Sequence, residues 1–124
     1  MAWLLAFGVA SWMAGFDVIY ACPDAAVDRG ENLRSIPRAL GVRNAFRVAT
    51  LFHTTTVALL SAAAHTSPTL GAGWLVAMAC GAVVLVVEHL LVRPGHYARM
   101  ATAFFRLNAL FGALALAGAA FDVF

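Results

Sequence analysis

Apolar residues run almost unbroken through four stretches of the chain, at about residues 2–22, 45–65, 70–92 and 98–124. Each is close to the roughly 20 residues an α-helix needs to cross the hydrocarbon core of a bilayer. None shows the alternation of a half-buried strand. The pattern predicts an all-α fold: a polytopic transmembrane bundle of four spans in a single domain, residues 1–124. Polar positions gather between the stretches. The first connection, residues 23–44, is long and carries Arg29, Arg34, Arg38 and Arg43. The second, residues 66–69, is uncharged, and the third holds Arg93-Pro94-Gly95, with Arg99 just beyond. Arginine concentrated at one end places the first and third connections on the cytoplasmic side and both termini on the other. That arrangement describes an integral protein of a bacterial-type inner membrane, surrounded by lipid.

Composition sharpens this picture. The chain is 63% hydrophobic and 11% charged, with a mean hydropathy of +0.86. A soluble domain is about 25% charged. All eight cations are arginines and form no basic stripe outside the first connection, so nucleic acid is excluded as a partner. The apolar start lacks a basic leading region and ends at Asp17, unlike a cleaved signal sequence. Cys22 and Cys80 have no metal-ligand spacing and are read as packing residues. Gly71, Gly73, Gly81, Gly112 and Gly118 are read as close-approach points between helices.

The chemistry concentrates in residues 16–38, which hold four of the six acids. Asp17, Tyr20, Asp24 and Asp28 recur at i, i+3, i+7 and i+11, and so share one helical face. A carboxylate inside an apolar helix is costly and points to function. Carboxylates on one face repel unless a cation lies between them, and hard oxygen ligands of this kind suit Mg²⁺. Glu88 and His89 are read as markers of the membrane boundary, and Arg106 and Asn108 as facing the bundle interior. Two further classes stay open. His53 and His89 on neighbouring helices are the pattern of axial haem ligands in a membrane anchor or cytochrome-like subunit. The acids alone would also serve a non-catalytic cation-binding bundle.

The string Gly15-Phe16-Asp17-Val18-Ile19-Tyr20-Ala21-Cys22, then Asp24-x-x-x-Asp28-Arg29 and Leu33-x-Ser35-Ile36-Pro37, resembles the second aspartate motif of the UbiA-type intramembrane prenyltransferases. The 4-hydroxybenzoate polyprenyltransferase-like branch of quinone biosynthesis is the most similar. Gly41-Val42-Arg43, Glu88-His89 and Ala103-Phe104-Phe105-x-x-Asn108 extend the resemblance over the chain. It implies Mg²⁺-dependent transfer of a polyprenyl group from polyprenyl diphosphate to an aromatic acceptor such as 4-hydroxybenzoate. Asp24 and Asp28 would hold the metal, and Arg34, Arg38 and Arg43 the diphosphate. Asp17 and Tyr20 would face the reacting groups. Pro23 stands where this branch usually has Gln, and a proline there predicts a kink just before Asp24. The family's first motif, N-x-x-x-D-x-x-x-D, does not occur in these residues. The four spans would therefore correspond to the family's last four helices, the C-terminal half. The resemblance then implies a partner, either a separate N-terminal half or a second copy, and no turnover by this chain alone.

Overall fold

The computed structural model describes residues 1–27 and 34–124. Helix α1 spans Ala2–Tyr20 and is followed after Ala21 by the short α2, Cys22–Val27. The junction lies where Pro23, lacking an N–H, cannot continue the helical ladder. This is the expected interruption, set two residues ahead of the proline. A second short helix, α3 (Ile36–Leu40), also falls within the first connection, which the hydrophobic pattern left as a loop. Three long segments complete the chain: α4 (Val42–Thr66), α5 (Ala72–Leu91), and a π-helical turn, Thr102–Leu107, that runs into α6 (Asn108–Val123). Four helices are long and apolar enough to cross a membrane, at Ala2–Ala25, Val42–Thr66, Ala72–Leu91 and Thr102–Val123. The protein is an all-α integral membrane protein. The fourth span begins at Thr102 rather than 98, because Arg93-Pro94-Gly95-His96 closes a tight turn first. In that turn the Arg93 and His96 backbones hydrogen bond to each other, and Gly95 takes a φ of 80°.

The long helices run up and down. Antiparallel pairing of α1 with α4 is fixed by Gly8 against Leu60 and Gly15 against His53. Likewise α5 pairs with α6 through Gly81 against Phe111 and Gly73 against Gly118. The ring closes between α1 and the fourth span, where Trp12 meets Phe111 of α6 and Phe16 meets Phe104 of the π-helical turn, with ring centroids 4.7 and 4.2 Å apart. Small residues let these backbones approach without a hydrophobic driving force between helices. The expected packing role thus holds for Gly73, Gly81 and Gly118. Trp12 and Trp74 pack inside, whereas Trp3 is exposed. Cys22 is buried and its thiol donates to the Val18 carbonyl (3.2 Å), but Cys80 is exposed and is not a packing residue.

Two apolar clusters fill the bundle. One, toward the arginine-rich end, contains Val18, Ile19, Ala45, Phe46, Ala49 and Val92. The other contains Leu60, Trp74, Met78, Leu85 and Phe111. Between them along the helices lie His53, Thr56, Glu88 and Asn108. At the far end, Asp122 near the C-terminus of α6 caps the start of α5. Its carboxylate accepts from the backbone N–H groups of Gly71 (2.7 Å), Gly73 (2.9 Å) and Trp74 (2.7 Å).

Candidate diphosphate and metal site

The up-and-down order brings the end of α1, the start of α4, the end of α5 and the π-helical turn to one end of the bundle. Asp24, Arg34, Arg38, Arg43, Arg93 and Arg99 all gather there. Ser35 starts α3: its hydroxyl oxygen accepts from the Arg38 N–H at 3.4 Å, and Pro37 occupies the first helical turn. A serine cap followed by an early proline is a strong start signal, because the proline's missing N–H would be unpaired there anyway. Gly41 ends α3 and begins α4 with a φ of 80°, a left-handed conformation that suits glycine. Ser35-Ile36-Pro37 and Gly41 therefore set where Arg34, Arg38 and Arg43 leave the backbone. Arg34 and Arg43 are exposed, and Arg38 is half-buried.

Asp17, Tyr20 and Asp24 are all exposed. The buried side of α1 is formed instead by Gly8, Gly15, Phe16, Val18 and Ile19. The three polar residues thus share the outward side despite the break at Ala21. The Tyr20 ring leans on Phe104 with centroids 4.7 Å apart and leaves 51% of the residue exposed. Asp28 lies outside the described residues. Among the described residues no three His, Cys, Asp or Glu side chains converge on a point. Mg²⁺ does not require such a cage, because it keeps several waters and binds through one or two carboxylates plus substrate phosphate. The exposed Asp24 carboxylate fits that donor set.

The bundle interior departs further from expectation. Glu88 turns into the bundle: it is 1% exposed, and its Oε2 is enclosed with no hydrogen-bond partner among the described residues. It lies on the inward stripe of α5 with Gly81, Val84 and Leu85. His89 turns toward α4, where its Nε2 lies 3.0 Å from His53 Nδ1. The two nitrogens contact each other directly, with no gap between them. Asn108 bridges helices as expected: its Oδ1 accepts from Trp12 Nε1 at 2.7 Å. Its amide nitrogen donates to the Ala103 and Phe104 carbonyls (3.3 and 3.2 Å), which belong to the π-helical turn. Such turns often occur at functional sites. Arg106, however, is exposed rather than inward-facing. The sequence offered one signal for the histidine contact, a histidine well inside one span, at 53, and another near the end of the next, at 89.

No curated protein and no solved structure matches the chain. The sequence model of the UbiA prenyltransferase family matches residues 1–120. Four membrane-spanning helices, with carboxylates and arginines gathered at one end of the bundle, agree with that match. The chain belongs to the UbiA prenyltransferase family, whose chemistry is prenyl transfer.

Proposed function

We propose that this chain supplies the second aspartate motif of a Mg²⁺-dependent aromatic polyprenyltransferase of quinone biosynthesis. The observation that carries the reading is the outward face of Asp17, Tyr20 and Asp24, which ends beside the exposed arginines of the first connection. Asp24 and Asp28 would hold Mg²⁺, whose chemistry here is to neutralise charge on the departing diphosphate. Arg34, Arg38 and Arg43 bind phosphate oxygens, with guanidinium forks suited to paired contacts. Asp17 and Tyr20 lie about two turns and one turn deeper than Asp24, where a carboxylate and a phenol stabilise positive charge on the allylic group. The aromatic acceptor is a 4-hydroxybenzoate-like ring.

Asp17 and Asp24 lie on one outward face, and a diphosphate cluster needs ligands from the opposite side as well. Those ligands come from outside these residues, supplied by an N-terminal half or by a second copy. A bare carboxylate face would otherwise meet lipid at high cost. The test uses the purified chain in nanodiscs with polyprenyl diphosphate and 4-hydroxybenzoate. Mg²⁺-dependent pyrophosphate binding without turnover is expected. Asp24→Asn should weaken that binding about tenfold or more, the loss of one charged ligand contact. Product formed by the chain alone would refute the need for a partner. Pyrophosphate binding that ignores both Mg²⁺ and Asp24 would refute the site.

A further inference from the structure

Phe104 stands against the acid-bearing end of α1. Its ring packs on Phe16 and on Tyr20, with centroids 4.2 and 4.7 Å away, and Phe105 meets it edge-on at 4.8 Å. Phe16 is buried, whereas Tyr20 and Phe105 are 51% and 69% exposed. Phe104 is half-buried, so part of its ring stays open. Asp17 and Tyr20 are three residues apart and so neighbours on the surface of α1. The rings of Tyr20, Phe104 and Phe105 thus form a continuous aromatic edge that begins next to Asp17. The Asp17 carboxylate is exposed and has no ion-pair or hydrogen-bond partner among the described residues.

The edge is held from behind. Phe104 belongs to the π-helical turn Thr102–Leu107, which runs one residue wider per turn than an α-helix. A regular α-helix there would rotate Phe104 by about 100° against α6, one residue's share of a turn. Asn108 secures the turn. Its amide nitrogen donates to the Ala103 and Phe104 carbonyls, and its Oδ1 accepts from Trp12 Nε1 on α1. The Phe104 ring and its backbone are both tied to the helix that bears Asp17.

Aromatic faces attract cations, and best those that are large and weakly hydrated. Mg²⁺ is the opposite case, small and reluctant to lose water, so it suits the Asp24 end instead. We propose that Phe104 is a further substrate-binding residue: its ring, with Tyr20 and Asp17, receives the positive charge of the allylic group. The inference rests on reading this end as a polyprenyl diphosphate site, and adds the ring and the turn that places it. In the transfer the allylic C–O bond breaks and its electron pair leaves with the diphosphate. Positive charge then rests on the allylic carbons until the aromatic acceptor supplies the pair for the new C–C bond and releases its ring proton to solvent. Electron-rich ring faces fixed beforehand favour that charged stage over the neutral ones on either side.

The test uses the whole chain in nanodiscs with Mg²⁺ and pyrophosphate. The probe is prenyl trimethylammonium, which fixes a diffuse positive charge beside the allylic carbon. Its control is the hydrocarbon with carbon in place of nitrogen. A ring-trifluorinated phenylalanine at position 104 keeps the shape and draws charge off the ring face. It should weaken binding of the cation about fivefold, one cation–π contact, and leave the hydrocarbon unchanged. In the parent chain the probe's N-methyl NMR signal should move upfield on binding, and Phe104→Leu should abolish that ring-current shift. Cation binding indifferent to fluorination, or equal weakening of cation and hydrocarbon, would overturn the role of Phe104. Persistent Mg²⁺-dependent pyrophosphate binding alongside either result would leave the diphosphate end standing. Absence of pyrophosphate binding in the parent chain would overturn the diphosphate reading, and this inference with it.

Discussion

At Gly118 two helix backbones nearly touch. A Cβ added there would lie 2.5 Å from the Ala77 Cβ and 2.8 Å from the Gly73 carbonyl oxygen, and neither is the movable end of a long side chain. At Gly112 the nearest atom would be a Trp12 ring carbon at 3.7 Å, an ordinary contact. Gly118→Ala should therefore destabilise the bundle by about 1–3 kcal/mol, as overpacking does, while Gly112→Ala stays near neutral. Midpoints of SDS-induced unfolding in mixed micelles measure the difference. Asp122 makes a different kind of contact, one carboxylate for three of the unpaired N–H groups at the start of α5. Asp122→Ala should lower the thermal midpoint, with Asp122→Asn falling between it and the parent because one acceptor oxygen remains. Equal midpoints for all three would show that α5 does not depend on this cap. Gly118 was legible as a close-approach point, but the Asp122 cap was not. An acid near the end of an apolar run shows neither which helix start it reaches nor that its partners lie about fifty residues away.

The elements themselves were readable for a simple reason: four apolar runs near membrane length leave few alternatives to helices. The connections were less readable, because short helices such as α3 depend on local caps rather than on hydrophobic length. Ser35 and Pro37 held that signal, but it lay within a motif read for its chemistry. The candidate site divided in the same way. The outward face of Asp17, Tyr20 and Asp24 follows from helical periodicity, which survives the break at Ala21. The inward turn of Glu88 and the His53–His89 contact depend on how α4 and α5 are rotated against each other, which no single-helix pattern encodes. The tie between α1 and α6 combines both kinds of information. Trp12 donates to Asn108 Oδ1, while the Asn108 amide holds carbonyls of the π-helical turn. Trp12→Phe keeps most of the packing and removes only the donor, so it should cost about 0.6–1.7 kcal/mol, the range for hydrogen bonds between membrane helices. A double-mutant cycle with Asn108→Ala measures it. Additive effects would show that the bond couples nothing.

Across the whole molecule the charges are unequally shared between the two ends. The connection between α4 and α5 carries no Arg, Asp or Glu, whereas the opposite end presents Arg34, Arg38, Arg43, Arg93 and Arg99. Retention of arginine-rich short connections on the cytoplasmic side sets the orientation of such a bundle. The same orientation would put Asp24 on the side where Mg²⁺ and soluble diphosphates are available, so the charge that orients the chain and the charge proposed to bind substrate share one surface. Single-cysteine variants in a background with Cys22 and Cys80 replaced by alanine test this. Thr69→Cys, in the uncharged connection, should react with a membrane-impermeant maleimide added to intact cells. His96→Cys, in the turn after α5, should react only after the membrane is opened. Both residues are exposed, so protection would reflect the bilayer rather than packing. The reverse labelling pattern would mean that the arginine end faces outward. It would place Asp24 away from any cytoplasmic diphosphate, and the proposed assignment of that end to substrate binding would fall even though the bundle stands.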